Sequence, residues 1–180
     1  MTDGPSWHSV SMPYVLPRGA GQPDAWAEEA AQHGHAGRHI LREVAEVRPP
    51  RDVAAALGVQ GHETVVARRR TVLLDERPVE LADSYYSLAI ARDTPLAEPR
   101  KIRGGAPTLL AELGYPPAHI EEDVSARPAS EEERQLLQLR EHDWVLVLFR
   151  LSRARDNAPV EVSVMAMAPY GRHLRYHLSV

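Results

Sequence analysis

Residues 67–86 read ARRRTVLLDERPVELADSYY, and this stretch has the composition of a β-hairpin. Val65–Leu74 and Pro78–Tyr85 are rich in β-branched and apolar residues, and the polar Asp75-Glu76-Arg77 between them reads as a turn. Side chains alternate along a strand, so Val66, Arg68, Arg70, Val72 and Leu74 share one face, and Glu80, Ala82, Ser84 and Tyr86 share another. With three residues in the turn, Leu74 pairs with Pro78, Val72 with Glu80, Arg70 with Ala82 and Arg68 with Ser84. Arg68, Arg70, Glu80 and Ser84 then converge on one side of the sheet. A two-residue turn shifts one strand and sends Glu80 to the opposite side. Two arginines on an otherwise apolar face need an anion. It is either a neighbouring carboxylate, in a cross-strand pair with Glu80 worth roughly 0.2–1 kcal/mol, or a ligand from outside.

The rest of the chain reads as strands interleaved with short helices. Residues 1–21 form an extended arm, with residues 1–11 as its flexible part. Asp24–Gln32 is a helix with Trp26 and Ala30 on one face. His39–Val47 is a strand, ended by Pro49-Pro50. Arg51–Leu57 is a helix stopped by Gly58. Leu88–Asp93 is a helical turn, Pro107–Leu113 a helix with proline at its start, and His119–Arg127 a strand. Ser130 with Glu133 three residues on is a capping-box pattern. Val145–Arg153 and Pro159–Met167 form a second hairpin. In its last strand Val160, Val162, Val164 and Ala166 make an apolar face, and Glu161, Ser163, Met165 and Met167 a mixed one that suits a pocket wall. The order indicates an α+β fold with a mostly antiparallel sheet.

Composition narrows the function. The chain has 180 residues, 43% hydrophobic and 26% charged, which fits one soluble domain with a substantial core. Net charge is −4 without a basic run, against nucleic-acid binding by this chain, since such binding rests on phosphate neutralisation. There is no cysteine, hence no disulfide or thiolate chemistry. No signal peptide or apolar span long enough for a membrane is legible, so the expected compartment is cytoplasmic. Nine histidines are present. His33, His35 and His39 cluster, as do His173 and His177, but none sits in a metal-ligand frame, so no metal or cofactor is expected. No nucleophile–base arrangement is legible either. Gly19–Gln22 and Gly104-Gly105 could offer backbone N–H groups to an anion or be turn glycines only.

The pattern R-x-R, turn, Pro78, Glu80, then Ser84-Tyr85 resembles the UTRA domain, the effector-binding domain of GntR-type bacterial transcription regulators of the HutC subfamily. The likeness extends to PDAWAEEAAQHG, to Glu131-Glu132-Glu133 before LLQL, to WVLVLFRLSR and to APVEVSV, and so spans Met12 to the C-terminus. It implies a chorismate-lyase-like fold, a homodimer and a small-molecule pocket with Glu161 as a wall carboxylate. The expected ligand-binding residues are Arg68, Arg70, Glu80, Ser84, Tyr86, Glu161, Ser163, Met165 and Met167, with no catalytic residue. Family members carry a winged helix-turn-helix ahead of this domain. Here only MTDGPSWHSVSM stands there, so a domain without its own DNA reader is expected, either free-standing or truncated, able to pair with a full-length GntR-type regulator. Two departures bear on the ligand. Phosphosugar binders have Ser-x-Tyr where this chain has Gly105-Ala106-Pro107, and polar residues where it has Met167-Ala168. An acidic effector with an apolar or aromatic body is expected, its anion at Arg68 and Arg70 and its body on Met165 and Met167. The rival reading is an enzyme of chorismate-lyase-like fold acting on a small aromatic acid.

Overall fold

The computed structural model describes residues 7–19, 21–170 and 172–177. In chain order the elements are β1 (Trp7–Ser9), α1 (Met12–Val15), α2 (Ala25–Gln32), β2 (Gly37–Val47), α3 (Arg51–Leu57), β3 (Val65–Leu74), β4 (Arg77–Ser87), α4 (Leu88–Ala91), a 3₁₀ turn at Pro95–Ala97, α5 (Gly105–Glu112), β5 (His119–Pro128), α6 (Glu131–Leu137), β6 (Trp144–Arg153), β7 (Pro159–Met167) and β8 (Arg172–Leu174). One antiparallel six-stranded sheet, ordered β2-β3-β4-β7-β6-β5, carries the fold, and β1 pairs in parallel with β8 beside it. The α+β class and the antiparallel sheet expected from sequence are therefore present. No helix among the described residues is long and apolar enough to cross a membrane.

The first hairpin reaches the expected convergence by a different route. Its turn has two residues, Asp75 (φ 46°) and Glu76 (φ 65°), a type I′ geometry whose twist matches the strands. Asp75 holds the turn by accepting from the Ala36 N–H at 2.8 Å. Leu74 pairs with Arg77, not Pro78, and Leu73 pairs with Pro78. Val79 is then an extra residue on β4, and this bulge restores the phase, so Val72 meets Glu80, Arg70 meets Ala82 and Arg68 meets Ser84. The second hairpin also bulges. Ser152 pairs with Glu161 and Arg153 with Pro159, leaving Val160 extra. Val160 consequently leaves the apolar face of Val162, Val164 and Ala166 and packs with Val66 and Tyr86 on the other side.

Two apolar clusters lie on each side of the sheet. On one side α3 covers Val65, Ala67, Tyr85 and Val162, and α6 covers Leu81, Val145 and Ala166 through Leu137. On the other, Trp26 and Ala30 of α2 pack on Val72, Ala82, Leu148, Met165 and Met167, while α4 and α5 pack on Val66, Tyr86 and Val160. The helices end as the sequence indicates. Asp24 caps α2 by accepting from Ala27 N–H, Gly58 ends α3 at φ 68°, and the Ser130–Glu133 capping box opens α6. Helix α5 begins at Gly105, two residues before Pro107. The described part of the expected arm is ordered as β1 and α1; residues 1–6 lie outside the described residues.

Candidate functional site

Between the two clusters on the α2/α5 side runs a polar row. Arg68, Ser84, Ser163, Arg150 and Glu122 stand in register across β3, β4, β7, β6 and β5. A network grows from it. Arg70 donates through Nη2 to Ser84 Oγ at 2.7 Å, Ser84 Oγ meets Ser163 Oγ at 2.8 Å, and Ser163 donates to Glu161 Oε1 at 3.0 Å. The Tyr86 hydroxyl donates to the same Glu161 oxygen at 2.8 Å. Burial first, and then the neighbouring Glu161 carboxylate, push the Tyr86 phenol well above its ordinary pKa, so it stays a donor. Five of the expected residues, Arg70, Ser84, Tyr86, Glu161 and Ser163, thus meet in one hydrogen-bonded unit.

The network borders a cavity of about 120 Å³ between the sheet, α1–α2 and the start of α5, lined by Arg70, Glu80, Glu161, Ser163 and Met165 together with Tyr14, Trp26, His39, Arg150 and Arg172. It adjoins a wider cleft of about 1030 Å³ edged by residues 18–19, 21–24 and 101–106. Arg18, Asp24, His39, Arg70 and Gly104–Ala106 line both. Two residues of this lining each carry a buried polar atom, Arg70 Nε and His39 Nδ1, without a hydrogen-bond partner among the described residues. Arg70 also forms no ion pair with a carboxylate among them, whereas Arg18 pairs with Glu28, Arg150 with Glu122 and Arg172 with Glu80.

Three expected residues have other work. Arg68 shares the face of Arg70 but is 4% exposed, and its guanidinium is spent on main-chain carbonyls. Nη1 donates to Leu96 and Glu98 at 2.8 Å each, and Nη2 to Arg100 at 2.7 Å. It ties the 3₁₀ segment to the sheet and does not join Arg70 in a two-arginine fork. Glu80 lines the cavity, yet its ion pair is with Arg172 of β8, not with an arginine of its own hairpin. Arg172 also lies over the Trp26 ring at 5.0 Å. Met167 is 1% exposed and sits in the cluster around Trp26, off the cavity lining, while Met165 is on it. Of the glycine pairs, Gly19 N–H is taken by Gln22 Oε1 at 2.9 Å, and Gly104 and Gly105 serve the left-handed entry to α5 (φ 72° and 80°) on the cavity lining.

The sequence reading did not single out Arg150, Arg172, Asp24, Trp26 and His39 for the site. Arg150 had a signal, one cation inside the apolar run WVLVLFRLS with Ser152 on its face. Arg172 had none, since its place depends on β8 crossing to α2. Asp24 is half-buried, which opposes its charge. His39, the Ala27 N–H and Lys101 outweigh that, and hold its carboxyl below the usual range. His33 bonds Glu29 O and His35 bonds Asp75, so the three clustered histidines diverge, and no metal-type cluster occurs among the described residues.

Comparison with known proteins agrees with this architecture. The UTRA domain family model matches residues 32–169. An uncharacterised HTH-type transcriptional regulator of Streptomyces coelicolor is 36% identical over 124 residues, covering 67% of this chain and 46% of that protein. The chain therefore spans under half that relative's length. The solved ligand-binding domain of a protein assigned to the GntR-family regulators of Bordetella bronchiseptica superposes with a TM-score of 0.71 at 22% identity, covering 91% of this chain and 95% of that one. The effector domain of PhnF from Mycobacterium smegmatis gives 0.69 at 18%, covering 91% and 99%. At these identities the two structures speak for the fold. The family match over most of the chain is decisive for kinship: this chain belongs to the UTRA domain family.

Proposed function

We propose that the domain senses a small anionic effector held at Arg70, and that it works by binding, not turnover, as the ligand-responsive part of a GntR/HutC-type regulator. The observation that carries this reading is Arg70 itself. It is a cation on the wall of a cavity, without a carboxylate partner among the described residues, its Nε unbonded and its Nη2 oriented by Ser84. A guanidinium so held offers a fixed fork for a carboxylate or phosphate, which a lysine does not reproduce. Trp26, Val72 and Met165 supply an apolar wall next to it, so the effector's body is apolar or aromatic. Binding would draw α2, the start of α5 and the edges of the cleft onto one ligand, and a second copy of the chain would read that change. The rival reading as an enzyme of chorismate-lyase-like fold gains no observation.

The test is calorimetry and thermal unfolding of wild type and Arg70→Ala against small carboxylic and phosphoric acids, with native mass spectrometry of protein from its own cells. Acids should raise the unfolding temperature of wild type and leave Arg70→Ala unmoved. Cations as the best binders, or equal binding by both proteins, would overturn the reading.

A further inference from the structure

The cavity carries a second directional group besides Arg70. His39 on β2 pairs with Val72, and Arg70 stands two residues from Val72 on the same strand face. The two side chains therefore leave the sheet side by side, on a cross-strand diagonal of about 7–8 Å between backbones. The His39 Nε2 points at Asp24 Oδ1, 3.6 Å away. Asp24 is itself fixed, because the same oxygen caps α2 through the Ala27 N–H at 2.9 Å. The partner of one ring nitrogen decides the state of the other. In the tautomer that directs Nε2–H at Asp24, the ring presents a lone pair at Nδ1. That atom is buried, on a residue that lines both the smaller cavity and the wider cleft, and nothing among the described residues bonds to it. Val72, its cross-strand neighbour, has no proton to give.

We infer that the site selects an acid that also carries a hydroxyl or N–H group, with the anion on Arg70 and the donor on His39 Nδ1. This rests on the anion-site reading above and adds a requirement to it. Arg70 selects charge and His39 selects among acids. A buried acceptor met by an apolar atom is left unbonded, so an acid lacking the donor is disfavoured even where its shape fits. Asp24 is the positioning residue that sets the ring's orientation.

The experiment uses acids differing by one group: benzoate, its three monohydroxy and three monomethoxy forms, and its amino forms, titrated into the whole chain by calorimetry. At least one hydroxy or amino acid should bind about tenfold more tightly than benzoate, the size of one hydrogen bond in a dry site. Its methoxy counterpart, an acceptor only, should not. His39→Leu should erase the preference. His39→Asn, whose Oδ1 takes the place of Nδ1 as acceptor, should keep it, which separates recognition from mere packing. Equal binding of hydroxy acids and parent, equal gain from methoxy, or a preference surviving His39→Leu would overturn the inference while leaving the anion site standing. Absence of any Arg70-dependent binding across the set would overturn the anion site instead.

Discussion

The two faces of the central sheet are made by the same strands and built to different ends. Under α3 and α6 the face is almost wholly apolar at its centre: Leu81, Val145, Val162 and Ala166 lie against Val53, Leu57 and Leu137, and each of these seven is buried. On the opposite face the apolar matter is split in two, and the gap is filled by Arg68, Ser84, Ser163 and Arg150. A buried row of this kind is costly unless each member is bonded. Here Ser84 and Ser163 bond each other, Arg68 bonds main-chain carbonyls and Arg150 bonds Glu122; Arg70 and His39 beside the row retain unbonded atoms, and both residues line the cavity. On the function proposed above, the face under α3 and α6 supplies stability and the split face supplies recognition. Single substitutions should sort accordingly.

The sharpest test of the sorting is Leu137→Ala. Leu137 is 1% exposed and joins α6 to the sheet. Its loss should cost about 3 kcal/mol, the usual range for a buried leucine that leaves a cavity. Denaturant unfolding measures this, and the native fraction should bind acids as wild type does. Altered affinity would mean that the two faces are coupled. Arg68→Met comes next and tests an exception. It stands on the recognition face, but its bonds end on carbonyls of residues 95–100. Burial also lowers its guanidinium pKa, the mark of a cation held in dry surroundings. We expect about 2 kcal/mol lost through unbonded carbonyls, with acid binding retained. Loss of binding without loss of stability would return Arg68 to the anion site.

Most of the fold was legible from periodicity and punctuation. The R-x-R face, the Gly58 stop and the Ser130–Glu133 box stand where alternation and end signals put them, and both hairpins are present, though the first has a shorter turn and Val160 changes face. What stayed hidden was compensation. A two-residue turn alone would have turned Glu80 to the wrong face, and only the bulge at Val79 reverses that. Nothing in Pro78-Val79 announces a bulge, since its need is set by packing on both sides of β4. The partners of Arg68 and Glu80 were hidden for a related reason. Both lie far off in sequence, at residues 95–100 and at Arg172, and pairing over such separations is decided by tertiary placement. The five residues of the hydrogen-bonded unit were readable because alternation within two hairpins already put them on one side.

The smallest expected effect belongs to the stability face and is visible only against pH. Glu133 opens α6. Its Oε2 accepts from the Ser130 N–H at 2.8 Å, and Arg127 donates to both its oxygens at 2.7 Å. The Arg127 hydrogen bonds, aided by the Ser130 N–H, outweigh burial and hold its carboxyl below the usual carboxylate range. A carboxyl whose pKa is depressed by folding stabilises the native state above its unfolded pKa. That stabilisation fades as pH falls through the folded value. Glu133→Gln keeps an amide oxygen for the cap but loses the charge. Arg127 is 46% exposed, so water screens the pair and the charge is worth only about 0.5 kcal/mol. Wild type should therefore exceed Glu133→Gln by about that amount at pH 7, and the two should converge as pH drops below the ordinary carboxylate range. Urea unfolding at stepped pH measures the gap. A gap constant from neutral to acid pH would mean that Glu133 acts through its shape alone, and that electrostatics contribute nothing to this end of the apolar face.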